Sequence, residues 1–385
     1  MKKITSILLV AIMIIALLSA CADAGVREYS PSPAPSAAAA PAAREYKDAY
    51  AKYPADEKVL TINGKSVLWD EFFYWLHNSL SRLESYVGAV KLSATSPVDA
   101  NITNEEFVNN NIKEILLAYH VLEEKLAENK VKLTDEDTKK LDEIRAEDIK
   151  KFCGDGKKEE DLYTELEKMF VTPRVYEYVN RTALLHAKGQ EELFGKNGEK
   201  VSDSDIEAFV KEKDYMHAKH ILLSFKDKEN KPISDEQKAE KLKLAKEILA
   251  ELSAIKDKDE LIKRFDALMQ EKSEDPGKEH FKEGYTFTPG TMVPEFEKAI
   301  KELKDGEITA EPVESVHGYH IILRLPVGGD DQIMQGQSVS TLRSAVARDA
   351  YDKLIKSWTE SAEVKWESAF ENLKIAELFG ESADK

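Results

Sequence analysis

The chain has 385 residues, 33% of them charged, a formal net charge of −17 and a pI near 5.1. That length leaves room for two or three domains. The acidity argues against nucleic-acid binding, which is built on neutralising phosphates with Lys and Arg.

Lys2 and Lys3 precede an apolar run, Ile4 to Leu18, that is short for a membrane span. The run ends Leu18-Ser19-Ala20-Cys21, which resembles a bacterial lipoprotein signal. That resemblance implies cleavage after residue 20 and acylation of Cys21. Loss of Lys2 and Lys3 would then take the net charge from −17 to −19. Cys153, the only other cysteine, would have no disulfide partner. Residues 21–45 are rich in Pro, Ala and Ser and read as an extended tether.

Folded structure is expected from about Val59. Val59-Leu60-Thr61-Ile62 reads as a strand, Asn63-Gly64 as a tight turn, and a helix follows from Trp69. Trp69, Phe72, Phe73, Tyr74 and Trp75 are too many for one inward face of a helix. Part of this run is expected to form an apolar client-binding surface, and part to meet Val364 and Trp366. Apolar spacing of three and four from Phe107 to Leu126 marks a further helix. Thr134 to Asp137 caps the next, and Gly154-Asp155-Gly156 ends it. Leu162, Leu166, Phe170, Val175, Tyr178 and Val179 mark another. Residues 46–212 thus form a helical segment, with a short helix starting near Ser202.

The segment 213–326 changes character. Met216 to Ser224 reads as a strand. Ser234 and Asp257 open two helices, and Ser273 to Gly277 is a loop. Tyr285 to Phe287 is a strand, and Pro294 starts a helix that ends by Gly306. Ile308 to Glu314 and Tyr319 to Leu325 are two closing strands. Beyond Gly328-Gly329-Asp330-Asp331 a helix is expected through Val339, Leu342, Val346, Ala350, Leu354 and Trp358, and Ala362 to Trp366 alternates like an edge strand. Residues 327–385 are expected to pack back on the N-terminal helices.

Two histidines, His220 and His320, each stand within an apolar, β-favouring run. By themselves they could be core histidines. With His217 and His317 they could also converge on a metal, but no Cys or carboxylate stands at ligand spacing. No phosphate loop or nucleophile elbow is present.

The runs His220-Ile221-Leu222-Leu223, Ser273-Glu274-Asp275, Phe287-Thr288-Pro289-Gly290-Thr291-Met292-Val293-Pro294-Glu295-Phe296, Gly306-Glu307-Ile308 and Gly318-Tyr319-His320-Ile321-Ile322 resemble, in order and spacing, a parvulin-type peptidyl-prolyl isomerase. The resemblance implies an α+β fold, an antiparallel sheet with surrounding helices, inserted in a mainly helical chaperone-like body. It implies that His220 and His320 are the family's paired histidines on neighbouring strands. Asp275 stands at a position that is Cys in some members and Asp in others. Met292 and Phe296 match the floor that receives the proline ring, and His317 stands where several members have a small hydroxyl residue. The family's Gly-Gly-x-Leu-Gly run is here Lys282 to Phe287 without its Leu, so a pocket wall is expected from Tyr285 or elsewhere. No metal or cofactor is implied.

The chemistry suits these residue types. Twisting an X-Pro bond breaks no bond but opposes a barrier of about 18–20 kcal/mol. The whole chain more weakly resembles extracytoplasmic foldases and chaperones of the PrsA and SurA type. This implies a protein lipid-anchored through Cys21 outside the cytoplasm, acting on unfolded exported polypeptides. Two alternatives share the architecture: a holdase whose parvulin domain binds with little catalysis, and an assembly lipoprotein using it only for binding.

Overall fold

The computed structural model describes residues 44–335 and 338–381. The expected leader, Cys21 and nearly all of the tether lie outside the described residues. The described chain falls into two compact units, one within Met1–Leu193 and Ala350–Lys385, the other Phe194–Asp349.

The first unit begins earlier than expected, with helix α1 (Tyr46–Tyr50) ahead of strand β1 (Lys58–Ile62). Asn63 and Gly64 both take positive φ (48° and 78°), turning β1 into β2 (Lys65–Leu68). Strand β9 (Val364–Trp366) pairs antiparallel on the other side of β1, Leu60 opposite Trp366, so it is an edge strand. Helices α2 (Trp69–Val87), α3 (Asn104–Glu128), α4 (Asp135–Cys153), α5 (Glu159–Glu167) and α6 (Pro173–Phe194) build the body. The expected single helix through Leu162 and Val179 is two helices. Phe170 has φ 61° and Pro173 restarts the chain as α6.

The expected client-binding face on α2 does not exist. Trp69, Phe72, Phe73, Tyr74 and Trp75 are all at most 4% exposed. A helix can bury every face when partners surround it. Tyr53 and Phe370 cover Trp69, Tyr50 and Phe170 cover Phe73, Tyr119 covers Trp75, and Trp366 meets Phe72. The acidic pair in its first turn is buried too and therefore partnered. Asp70 takes the Arg174 guanidinium and the Thr172 hydroxyl, and Glu71 meets His120 Nε2 at 2.8 Å.

The second unit starts with α7 (Asp203–Lys213), capped by Ser202, and β3 (Met216–Ser224). Then come α8 (Asp235–Ser253), α9 (Lys258–Lys272), β4 (Tyr285–Phe287), α10 (Pro294–Glu302), β5 (Val313–Glu314) and β6 (Gly318–Leu325). The strand expected from Ile308 shrinks to β5, with Ile308 keeping one isolated bridge to Leu323. Strand β3 pairs antiparallel with β6 over its length, His220 opposite Ile322 and Leu222 opposite His320.

The sheet also extends further than expected. Strands β7 (Gln332–Gln335) and β8 (Ser338–Thr341) give the order β5-β6-β3-β4-β7-β8, with β4 and β7 parallel. The helix expected to include Val339 begins only at Leu342, as α11 (Leu342–Glu360). Short strands flanked by polar residues carry little periodic signal, so the hairpin was invisible beside the strong helical spacing that follows.

Alternation on β3 and β6 sorts the sheet's two faces. Ile221, Leu223, Ile321 and Leu323 pack with residues of α8 and α9, such as Ile248 and Phe265. Met216, Ala218 and Ile322 on the other face pack with Phe287, and with Phe296 and Ile300 of α10. His220 and His320 fall on this second face, beside α10.

Candidate active site

Seven residues singled out from the sequence, His220, Asp275, Tyr285, Met292, Phe296, His317 and His320, line one cleft of about 840 Å³. Its floor is apolar. Phe296 is 3% exposed and presents its ring edge-on to His220 and His320, with centroids 5.4 and 5.6 Å away. Met292 is half-buried. Its placement depends on Glu297, whose carboxylate accepts the Gly290 and Met292 backbone N–H groups at 2.8 and 2.9 Å. Glu297 has no signal in the sequence beyond being an acid in the first turn of α10.

Along one wall runs a chain of hydrogen bonds. His220 and His320 lie diagonally across the β3–β6 pair, and their Nδ1 atoms are 3.0 Å apart. His220 Nε2 is 2.9 Å from Asp275 Oδ2. The Tyr285 hydroxyl donates to the same oxygen at 2.7 Å, and the Gly277 N–H donates to Asp275 Oδ1 at 3.0 Å. At the other end, Ser315 Oγ is 2.7 Å from His320 Nε2 and accepts the His317 N–H at 3.1 Å. Ser315 was not singled out from the sequence. Only its place five residues before His320, across a hairpin, could have pointed to it.

Two features make this wall possible. A Cβ at residue 277 would lie 1.9 Å from the Tyr285 hydroxyl, so glycine there lets the phenol reach Asp275. Tyr285 pairs with Ala218 on β3, which sets its ring edge-on to His220 at 5.6 Å. Tyr285 is thus one of the residues lining the cleft. His317 stands exposed at the rim.

The electrostatics follow from the contacts. Burial, and the neighbouring His220 and His317, depress the His320 pKa to about 3, so this ring is neutral near pH 7. For Asp275, burial favours the acid form. The bonds from His220, Tyr285 and Gly277 outweigh it and hold the carboxyl well below its usual range. Burial and the Asp275 charge push the Tyr285 phenol far up. A carboxylate only accepts, so His220 Nε2 carries a proton. When His220 carries that proton alone, its Nδ1 accepts from His320 Nδ1–H, and His320 Nε2 accepts the Ser315 hydroxyl proton.

His217 does not join this group. It stands three residues before His220 on β3, an odd step, and hence on the opposite sheet face, where Nδ1 is 3.0 Å from Asp331 Oδ2. Among the described residues, no three His, Cys, Asp or Glu side chains are grouped to hold a metal.

The model of the PPIC-type peptidyl-prolyl isomerase domain, the rotamase family, matches residues 220–325. These residues form a parvulin-type rotamase domain. The chain is 33% identical over 141 residues to a Campylobacter jejuni protein provisionally named a peptidyl-prolyl cis-trans isomerase, Cbf2, a match spanning 36% of this chain and 45% of that one. It is 32% identical over 224 residues to foldase protein PrsA 4 of Bacillus cereus, spanning 57% and 61%. The chain thus spans about half the length of these curated relatives. A crystal structure of PrsA from Bacillus subtilis is 25% identical, covered over 70% of this chain and 90% of that one, with a TM-score of 0.25. All seven residues singled out from the sequence lie within the matched span 220–325.

Proposed function

We propose that this protein is a peptidyl-prolyl cis–trans isomerase and foldase acting on unfolded exported polypeptides, tethered to a membrane by a lipid on Cys21. The observation that carries the catalytic reading is the Met292–Phe296 slot beside the bonded chain Ser315–His320–His220–Asp275–Tyr285, in a rotamase-type domain.

The planar amide is held by resonance that separates charge, and the two isomers differ by only about 0.5–1 kcal/mol. The enzyme must therefore bind the twisted amide better than either planar form. Met292 and Phe296 take the proline ring and exclude water from the preceding carbonyl. A dried carbonyl supports less charge separation, so the C–N bond turns more easily. His220, His320 and Asp275 form a rigid polar wall against the twisted group. Asp275, already accepting three hydrogen bonds, is a weak nucleophile, and no covalent step is needed. Tyr285 and His317 contact the residues flanking the proline.

The test is X-Pro isomerisation measured by NMR exchange on the mature chain, with Met292→Ala beside it. The expected result is exchange faster than buffer and a raised KM in the variant. Wild-type exchange no faster than buffer sinks the catalytic reading. For the anchor, Cys21→Ala is expected to move the protein from the membrane fraction to the soluble one. Retention on the membrane refutes lipidation at that residue.

A further inference from the structure

His217 is buried on the sheet face away from the cleft, and both its ring nitrogens face oxygen acceptors. Nε2 is 2.8 Å from the Glu283 carbonyl oxygen. Nδ1 is 3.0 Å from Asp331 Oδ2 and 3.2 Å from the Pro326 carbonyl oxygen. A neutral imidazole has one N–H, so one nitrogen would present a lone pair to an oxygen. Only the imidazolium satisfies both sides. Burial opposes the charge, but Asp331 and the two carbonyls outweigh it and raise the pKa above 6.5.

The segment it grips leads straight into the site. Gly284 has φ 107°, and a Cβ there would lie 2.7 Å from the Ala218 carbonyl oxygen and 2.8 Å from His217 Nε2. Glu283 and Gly284 are therefore pressed onto β3 beside His217. The next residue is Tyr285, whose hydroxyl donates to Asp275. Lys219, two residues along the same face, holds the Glu283 side chain at 3.4 Å and Asp266 of α9 at 2.8 Å. The charged groups around His217 are thus Asp331 from the β6–β7 connection, Glu283 from the segment before β4, Lys219 from β3 and Asp266 from α9.

We propose that His217 is a positioning residue: held as an imidazolium between the Glu283 carbonyl and the Asp331 carboxylate, it sets Tyr285 against Asp275, and loss of its proton loosens that contact. The pKa of such a histidine is raised by folding, so the effect is complete below about pH 6.5 and is lost as pH rises through the folded value. The consequence for turnover rests on the isomerase reading. The consequence for Tyr285 does not.

The experiment is a pH titration from 5 to 9 of the mature chain labelled at His and Tyr, following the His217 ring nitrogens and the Tyr285 ring signals by NMR, with kcat and KM on an X-Pro peptide beside it. Tyr285 and kcat are expected to shift with the His217 midpoint while KM stays within about twofold. In Asp331→Asn that midpoint should fall by about one pH unit or more, because an opposite charge is removed. In His217→Gln the Tyr285 signals should sit near their high-pH position throughout. Tyr285 signals that ignore the His217 midpoint, or a midpoint unmoved by Asp331→Asn, overturn the proposal. Tyr285 coupling without any turnover would sink the isomerase reading and leave this one standing.

Discussion

Replacing Asp275 by Asn tests the polarity of the hydrogen-bond chain. The carboxylate accepts from His220 at 2.9 Å, Tyr285 at 2.7 Å and the Gly277 N–H at 3.0 Å. In the amide, Oδ1 keeps the Gly277 bond, while Nδ2 becomes a donor facing two donors. Tyr285 can rotate its hydroxyl to accept. His220 can accept only if its proton moves to Nδ1, which forces His320 Nδ1 to accept and His320 Nε2–H to donate to Ser315. Every bond can thus be remade, but as a neutral one. Bonds to a charged group contribute about 1.5–3 kcal/mol and neutral ones about 0.5–1.5, so three conversions at about 1 kcal/mol each predict a loss near 3 kcal/mol. Partial exposure of Asp275 lowers this to about 2–3 kcal/mol. Urea unfolding at pH 7 reads the loss, and ring ¹⁵N shifts of His320 read the tautomer. An unchanged His320 tautomer together with a loss under about 0.5 kcal/mol refutes the polarity assigned to the chain.

His320, with a folded pKa of about 3 against an ordinary 6.5, makes stability depend on acid. The unfolded chain takes a proton near 6.5 and the folded one does not until about 3. Stability is therefore complete above pH 6.5 and falls as pH drops, by about 2 kcal/mol at pH 5. His320→Gln should flatten that part of the curve, and an unaltered slope between pH 7 and 5 counts against a neutral buried ring. Phe296→Ala empties a packed site and should lower stability by about 3–5 kcal/mol, read by denaturation. A loss under about 1 kcal/mol refutes a tightly packed floor. In the first unit, His120→Ala leaves Glu71 buried without its closest partner and should cost about 3–5 kcal/mol. His120→Ala unfolding at the wild-type midpoint refutes a stabilising His120–Glu71 contact.

Much of the site was legible beforehand because its residues sit on strong local signals. His220 and His320 lie in apolar runs whose alternation fixes their face, and Pro294 marks the first turn of the helix that carries Phe296. Ser315, Glu297 and the role of Gly277 were not legible. Each acts through a side chain or a missing one that reaches a partner by a turn, and local spacing does not encode such contacts. The aromatic run of α2 misled for a related reason. One helix in isolation cannot hide five such side chains, but α1, α3, the Phe170 loop and the segment carrying Trp366 and Phe370 close around it.

The amino-acid order alone determined where most strands and helices lie, because periodicity and capping are local properties of the chain. It also pointed to Met292 and Phe296, which line the cleft. Tertiary structure decided that the Tyr285 hydroxyl would reach Asp275, that β7 and β8 would extend the sheet, and that His217 would meet Asp331. These outcomes depend on which distant segments meet, and on the requirement that every polar group buried in the meeting finds a partner.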